Sequence, residues 1–263
     1  MFWGADEEDD PFELSTWKKA NPNLSEGLMA EKALESELLL ATATGIQGFL
    51  RMNLNIWART EGDPFINKFY WEKAAKEDYK IKEGSKITVG FDGSKSGDTT
   101  CIIIQEIDTG HIEVWEFWEK DELNPEWFVS RDEVFESLKL LDAKYDVELA
   151  WVDASYWHQE VPAWNDYFSW HSQKINPTTP TMVPLAAAFL KDLTEQIITH
   201  PNDDKLSEYS LRALKREDGG FGKASSKPSD RIDLLVGAIL ANGARSFILN
   251  SEEEEEQELF ILS

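Results

Sequence analysis

Cysteine is nearly absent from this chain of 263 residues, which has a single one at position 101. A disulfide framework and a cysteine-rich zinc site are therefore excluded, and the composition fits a reducing cytoplasm. Cys101 lies in an apolar run, where a free thiol packs as a small hydrophobic side chain. No run of about 18 apolar residues occurs, which argues against a membrane span. Residues 1–10 lack the basic and apolar parts of a signal peptide.

Basic residues are also scarce, because 26 Lys and Arg stand against 50 Asp and Glu and leave a net charge of −24. Binding to nucleic acid is normally driven by cations that release counterions from phosphate, so this balance by itself argues against it. Part of the acidic excess lies in residues 5–10 and 252–258, and such tracts are usually solvated and often disordered. A salt-rich cell or basic partner proteins would each account for the remaining acidity.

A phosphate-binding P-loop is missing as well, since no Gly-x-x-x-x-Gly-Lys-[Ser/Thr] string occurs. The nearest match contains Gly222 and Lys223, but Glu217 replaces the first glycine and Ala224 replaces the hydroxyl residue. That match also follows a hairpin signal rather than a buried strand. The sequence therefore predicts no ATP site in this chain.

The pattern of apolar residues changes near residue 80, where a helical pattern gives way to short β-branched runs. Three sequential antiparallel strands followed by crossover helices predict a mixed sheet with helices on both faces. The predicted strands are 87–91, 99–107, 112–118, 149–152 and 181–185, the helices are 28–41, 125–145, 186–199 and 230–244, and a hairpin spans 210–225.

This order predicts an α/β fold of the ribonuclease H-like type, with a mixed five-stranded sheet flanked by helices and a small, mostly helical N-terminal segment. We expect residues 1–80 to form that segment, residues 81–250 to form the main domain, and residues 251–263 to form an acidic tail.

Three aspartates form the candidate site. Asp92 and Asp153 each end a predicted strand, where open α/β sheets place their ligands. Asp233 shares a helical face with Val236 and Leu240, and a carboxylate there is costly to bury unless it is paired or bound to metal. Each aspartate alone is more simply a turn former, a cap or a satisfied polar residue. Together they predict a cluster for hard divalent cations, and two such ions could activate water at a phosphodiester.

The densest group of basic residues follows the predicted hairpin glycines and comprises Lys215, Arg216, Lys223, Lys227 and Arg231. It is either a solvated hairpin or a contact with the DNA backbone beside Asp233. The candidate DNA contacts are Lys223, Lys227 and Arg231. The four histidines show no mutual zinc spacing and are expected to be ordinary core or surface residues.

The ordered set of motifs resembles the nuclease half of terminase large subunits from tailed phages. Residues 90–100 look like the first nuclease motif, residues 149–153 resemble the second acidic motif, and residues 231–241 look like the terminal helix motif. Residues 17–24 and 53–57 resemble segments that lie between the family's motor and its nuclease. Each motif is short and degenerate, but together they follow the family's order over nearly the whole chain.

The resemblance implies a ribonuclease H-like fold and cleavage of double-stranded, concatemeric phage DNA during packaging, in the host cytoplasm and with two Mg²⁺ or Mn²⁺ ions. It assigns Asp92, Asp153 and Asp233 as metal ligands. Asp98 matches a further acidic position, although a turn-ending role is equally open there. The portal and the small terminase subunit are the implied partners, whereas the family's ATP-driven motor is missing here.

Two other functions stay open from the sequence. One is another ribonuclease H-like nuclease, such as a junction resolvase or a transposase core. The other is a catalytically silent module that docks onto the portal or the small terminase, which would not need all three aspartates.

Overall fold

The chain divides into two compact units, residues 1–67 and residues 68–263, which we call the first and second units. The division lies earlier than the predicted position near residue 80. The reason is Trp71, which packs inside the second unit: it stacks on His200 at 4.0 Å and donates a hydrogen bond to Ser207 Oγ at 3.0 Å. The computed structural model describes residues 3–6, 9–26, 31–44, 47–56, 62–94, 99–120, 124, 127–224 and 230–262.

The first unit is mostly helical in its described residues, as the sequence predicts. Its small core is built around Trp17, whose indole N–H donates to Pro11 O at 2.7 Å. Asn21 ties the first helix to the last by donating to Asn53 O at 2.7 Å. The helices are α1 (Leu14–Ala20), a 3-10 helix (Pro22–Glu26), α2 (Glu31–Thr44) and α3 (Gln47–Asn53).

The second unit is built on a mixed sheet, which within the described part of the chain has five strands in the order β3-β2-β1-β4-β5. The first three strands are antiparallel neighbours, whereas β4 and β5 run parallel to β1. This arrangement confirms the predicted ribonuclease H-like plan. The strands are β1 (Lys86–Asp92), β2 (Thr100–Glu106), β3 (Ile112–Trp118), β4 (Asp146–Asp153) and β5 (His171–Ile175).

Helices pack on both faces of this sheet. A large apolar cluster joins α5 and α6 to one face, and α9 lies directly on the other. A short hairpin precedes α9, as the sequence predicts. The elements are α4 (Lys68–Lys73), α5 (Arg131–Lys144), α6 (Glu160–Tyr167), α7 (Thr179–Thr194), α8 (Asp204–Leu211), β6 (Leu214–Lys215), β7 (Phe221–Gly222) and α9 (Asp233–Leu262).

The predicted strand at 181–185 is wrong, because these residues lie inside α7. Pro180 occupies the second position of that helix, where a missing N–H is tolerated, and the alanines that follow favour helix. The fifth strand is instead His171–Ile175, a polar edge strand without an apolar run. The helix predicted from residue 125 begins at Arg131, after the Ser130 cap.

The last helix is longer than predicted, because the backbone of α9 continues through the acidic tract to Leu262. Among the described residues, the stretch 233–251 of this helix is long and apolar enough to cross a membrane by length and composition. However, 61% of that stretch is buried inside the protein, as expected for a helix that packs on a sheet.

A buried polar cluster lies at the end of the sheet opposite to Asp92. His111 is fully buried, its Nδ1 lies 2.9 Å from Thr199 Oγ1, and its Nε2 lies 3.8 Å from Glu113 Oε1. Tyr79 packs on the His111 ring at 4.7 Å. Burial lowers the pKa of His111 to about 4, and the nearby His200 contributes to the decrease. The neutral imidazole is therefore the form that the fold accommodates.

We expect acid to destabilise the second unit through His111. The pKa of this group is about 4 in the fold against 6.5 in the unfolded chain, so the unfolded chain takes up the proton first. The stabilising contribution is complete above pH 6.5 and is lost as the pH falls towards 4. At about 1.4 kcal/mol per pKa unit, the loss is about 3 kcal/mol. The free energy of unfolding, measured with urea at pH 7 and at pH 4.5, should decrease less for His111→Gln than for the parent.

The exposed His171 supplies the matched control, since His171→Gln should retain the pH dependence of the parent. Equal decreases in the free energy of unfolding for all three proteins would contradict the assignment to His111.

Candidate active site

The strand-end aspartates lie side by side because β1 and β4 are adjacent and parallel, with Asp92 and Asp153 as register partners. Both carboxylates project at the carboxyl end of the sheet. Asp233 is the first residue of α9, the helix that lies on β1 and β2. All three aspartates line the same cavity, which has a volume of about 610 Å³. The structure therefore brings together the three residues that the sequence singled out.

Asp153 is held by the turn that follows β4. Its Oδ1 accepts hydrogen bonds from the Ser155 backbone N–H at 3.0 Å and from the Ser155 hydroxyl at 2.6 Å. Asp153 therefore does form a turn after its strand. The two hydrogen bonds from Ser155 occupy Oδ1 and restrict the orientation of the carboxylate at the edge of the cavity.

Asp233 is the most deeply placed of the three, with 6% of its surface exposed. Lys223 from the hairpin reaches it, with Nζ 3.5 Å from Asp233 Oδ1. The Cys101 thiol lies below, with Sγ 3.4 Å from Asp233 O. Burial raises the pKa of the Cys101 thiol, and the negative charges of Asp92 and Asp233 raise it further. Asp92 at the end of β1 and Asp233 at the start of α9 therefore both influence the buried Cys101 thiol.

The other walls of the cavity come from α7, from the hairpin and from the turn after β4. Asp218, at the hairpin tip, adds another carboxylate, and its Oδ1 accepts the Gly220 N–H at 2.9 Å. The sequence offered little to single it out, because an Asp before Gly-Gly is an ordinary turn residue. The exposed side chains of Arg216 and Tyr156 also line the cavity. Arg216 belongs to the basic group that the sequence analysis named, whereas Tyr156 was not predicted as a site residue.

The lining fits a hard divalent cation by donor chemistry, because its described side chains supply carboxylates and neither histidine nor cysteine. Over the described ranges, however, no three His, Cys, Asp or Glu side chains are arranged to hold one ion together. The three aspartates thus line one cavity without forming a preformed ion site in this structure.

The predicted DNA contacts fare differently from one another. Lys223 lines the cavity, as a phosphate contact near Asp233 requires. Arg231 does not reach the surface, because it is 6% exposed and its Nη1 lies 3.8 Å from Glu119 Oε1. We therefore correct the prediction that Arg231 contacts DNA, because its charge is paired with Glu119 inside the protein. The further candidate ligand Asp98 and the basic residue Lys227 lie outside the described residues.

Glu119 explains why Arg231 is buried. Besides its ion pair with Arg231, Glu119 accepts hydrogen bonds from Tyr209 and from Lys205, the latter at 3.3 Å. Tyr209 is also 2.9 Å from Thr99 Oγ1. Burial acts to raise the pKa of Glu119, but its hydrogen bonds with Tyr209 and Lys205, together with the charges of Lys205 and Arg231, lower it. This network anchors the chain just before Asp233 and just before β2.

Comparison with known proteins identifies the family. The sequence model described as "Terminase large subunit, endonuclease domain" matches residues 2–132, about half of the chain, including β1 and Asp92. The chain belongs to this family. This match agrees with the resemblance that the order of the motifs indicated. It extends from the helices of the first unit through β1, the strand that ends in Asp92.

A curated relative and a solved structure also match this chain. The chain is 28% identical over 200 residues to the Gene 13 protein of Mycobacterium phage L5. The aligned segment covers 70% of this chain and 33% of that protein. The chain therefore spans about a third of the length of this curated relative. The crystal structure of the bacteriophage HK97 large terminase aligns at a TM-score of 0.57 and 19% identity, over 91% of this chain and 55% of that one.

A separately solved terminase nuclease aligns over nearly all of its length. It is the large terminase nuclease of the thermophilic phage G20c with bound magnesium, which matches at a TM-score of 0.51 and 13% identity, over 65% of this chain and 93% of that one. At these identities the likeness shows the fold alone. It confirms the mixed five-stranded sheet with flanking helices as that of the terminase nucleases.

Proposed function

We propose that this chain is a metal-dependent endonuclease that cleaves double-stranded DNA during phage genome packaging. The observation that carries the proposal is the meeting of Asp92, Asp153 and Asp233 at one cavity, from two adjacent strand ends and the first turn of α9. Membership of the terminase endonuclease family supports the same activity. A silent docking module would have no need to bring these three carboxylates together.

We infer that Asp92, Asp153 and Asp233 would hold two Mg²⁺ or Mn²⁺ ions, with Asp98 as a further candidate ligand. The support is the carboxylate lining of the cavity and the magnesium bound by the structurally similar G20c nuclease. When bound, such ions lower the pKa of water and stabilise the leaving oxygen of the phosphodiester.

The protein's own part is to position its ligands and the DNA strand. Ser155 orients Asp153 through two hydrogen bonds, and the α9 packing fixes Asp233 against β2. Lys223 neutralises part of the charge on Asp233 and is placed to contact a phosphate once the DNA strand enters. Lys227 remains a proposed second contact. The hydrolysis itself adds water across one P–O bond.

The proposal places this activity in the host cytoplasm, with the portal and the small terminase subunit as partners. The curated relative is about three times as long as the matched segment. We therefore propose that the packaging motor of the family lies outside the segment that this chain matches. No ATP is expected to be needed for cleavage by this chain, because it contains no P-loop string.

We expect the chain to nick and linearise supercoiled plasmid in Mn²⁺ or Mg²⁺, without ATP and with little sequence preference. Three carboxylates without a histidine or cysteine ligand set depend on a bound cation for their charge balance. Agarose gels of plasmid incubated with Mn²⁺, with Mg²⁺ and with excess EDTA test this directly. Robust cleavage in excess EDTA would contradict the proposal, and the absence of cleavage in both metals would favour the docking module.

A further inference from the structure

We propose that Arg216 binds a phosphate of the DNA strand in the cavity, and that Gly222 leaves the space which the Arg216 guanidinium needs for this contact. This inference rests on the proposed nuclease function and selects Arg216 from the basic group that the sequence offered as a possible DNA contact. Arg216 directly follows β6, and Gly222 ends β7 of the same hairpin. The hairpin forms a wall of the cavity that Asp92, Asp153 and Asp233 also line.

The guanidinium of Arg216 lies flat against Gly222. A Cβ atom added at Gly222 would lie 2.2 Å from Arg216 Nε, 2.3 Å from Nη2 and 2.5 Å from Cζ. Three atoms of one planar group therefore occupy the space where a side chain of residue 222 would begin. Any side chain at this position would displace the guanidinium, so the glycine leaves the room that the charge occupies.

The hairpin backbone restrains the other end of Arg216. Its N–H donates to Gly220 O at 2.9 Å, and its carbonyl accepts the Gly219 N–H at 3.1 Å. The residue is thus held by two backbone hydrogen bonds while its side chain stays exposed to the cavity. A fixed backbone at this residue reduces the conformational entropy that is lost when the arginine binds a ligand.

The charge of Arg216 is not consumed inside the protein. In the part of the chain that the structure describes, no carboxylate lies within ion-pair distance of it, not even Asp218 two residues along. Arg231, by contrast, is buried against Glu119. Among the described residues, Arg216 therefore presents to the cavity an exposed charge that no carboxylate balances.

The chemistry of the cavity explains what such an arginine would bind. Asp92, Asp153, Asp218 and Asp233 give the cavity a negative lining, which repels a phosphodiester. A cation on the wall is needed to draw the strand in, and bound divalent ions balance only the carboxylates that hold them. The planar guanidinium fork matches two oxygens of one phosphate, which a lysine ammonium does not.

Fluorescence anisotropy of a labelled DNA duplex in EDTA tests this contact, since EDTA prevents metal-dependent cleavage. Arg216→Ala should weaken binding by about tenfold or more, the effect of losing a charged hydrogen-bonded pair. It should also reduce the slope of log K against log salt by about 0.9, the value for one phosphate contact. Arg216→Lys should restore the slope while recovering only part of the affinity.

Two further variants separate position from charge. Gly222→Ala keeps the charge and displaces the guanidinium, so it should weaken binding in the same direction as Arg216→Ala. Its melting temperature should stay close to that of the parent, because the contacted atoms end a flexible side chain. Lys215→Ala is the matched control, since it removes an equal, exposed charge from the neighbouring position.

Equal binding by the Arg216→Ala and Lys215→Ala proteins, with an intact chain that cuts DNA in Mn²⁺, overturns the inference and leaves the nuclease standing. Weaker binding in Arg216→Ala and Gly222→Ala, with an intact chain that cuts nothing, supports the phosphate contact and overturns the nuclease. An intact chain that neither binds nor cuts DNA overturns both.

Discussion

Replacing Asp153 or Asp233 with asparagine is expected to lower the rate of DNA cleavage about a thousandfold or more. Each substitution removes one anionic ligand from a site whose only proposed source of catalysis is charge held in place. Cleavage of plasmid in Mn²⁺ measures the loss. Asp146→Asn is the matched control, because Asp146 is exposed at the opposite end of β4 and should leave the rate unchanged.

The same variants test metal binding without any DNA. A ligand that binds only the folded form stabilises it by RT ln(1 + [L]/Kd), about 2.7 kcal/mol at a hundredfold excess over Kd. Millimolar Mn²⁺ should therefore raise the melting temperature of the intact protein. The increase should largely disappear in Asp153→Asn and Asp233→Asn and persist in Asp146→Asn, which retains the general screening of an acidic protein.

Without metal, Asp153→Asn should fold with unchanged or greater stability. The asparagine oxygen can accept both hydrogen bonds from Ser155, and one of several neighbouring negative charges is removed. Equal Mn²⁺-induced increases in all proteins, together with marked destabilisation of Asp153→Asn, would mean that this aspartate is a structural turn residue and not a ligand.

Gly90→Ala is expected to cost about 4 kcal/mol or more, at the upper end of what overpacking does, and to leave little folded protein. A Cβ atom at Gly90 would lie 1.9 Å from Gly237 O and 2.6 Å from Ala241 N. Both are backbone atoms of α9, so no side-chain rotation relieves the clash. The helix must instead move away from the sheet, and Asp233 moves with it.

Thermal unfolding followed by circular dichroism measures this loss. Gly84→Ala serves as the comparison, because a Cβ there meets nothing within 4 Å although the backbone φ is +79°. It should cost only about 1 kcal/mol, the strain of a positive φ. A free energy of unfolding for Gly90→Ala within about 1 kcal/mol of the parent would contradict the close contact between α9 and β1.

The strands that carry the site were predictable because their signal is local. The apolar runs that end in Asp92 and Asp153 are buried on both faces of the sheet, and burial of consecutive residues is visible in sequence. The fifth strand was missed because His171–Ile175 is a polar edge strand, held by pairing with β4 rather than by apolar side chains. Pairing between distant segments leaves no local pattern.

The basic residues show the limit of sequence most clearly. In the sequence, Arg216 and Arg231 are alike: each is a cation near the hairpin. The tertiary structure buries Arg231 against Glu119 from the end of β3, and it leaves Arg216 exposed beside a glycine six positions away. Which charge meets an acidic partner depends on residues more than a hundred positions apart in the chain, so only the fold could separate them.

The sequence by itself determined the order of the first four strands and the three aspartates of the site, because hydrophobic periodicity and strand ends are local properties. Only the tertiary structure decided that Asp218 and Arg216 line the same cavity as these aspartates, and that Gly90 meets the backbone of α9. Those outcomes depend on distances between backbones remote in sequence, and such distances are set by the packing of the whole second unit.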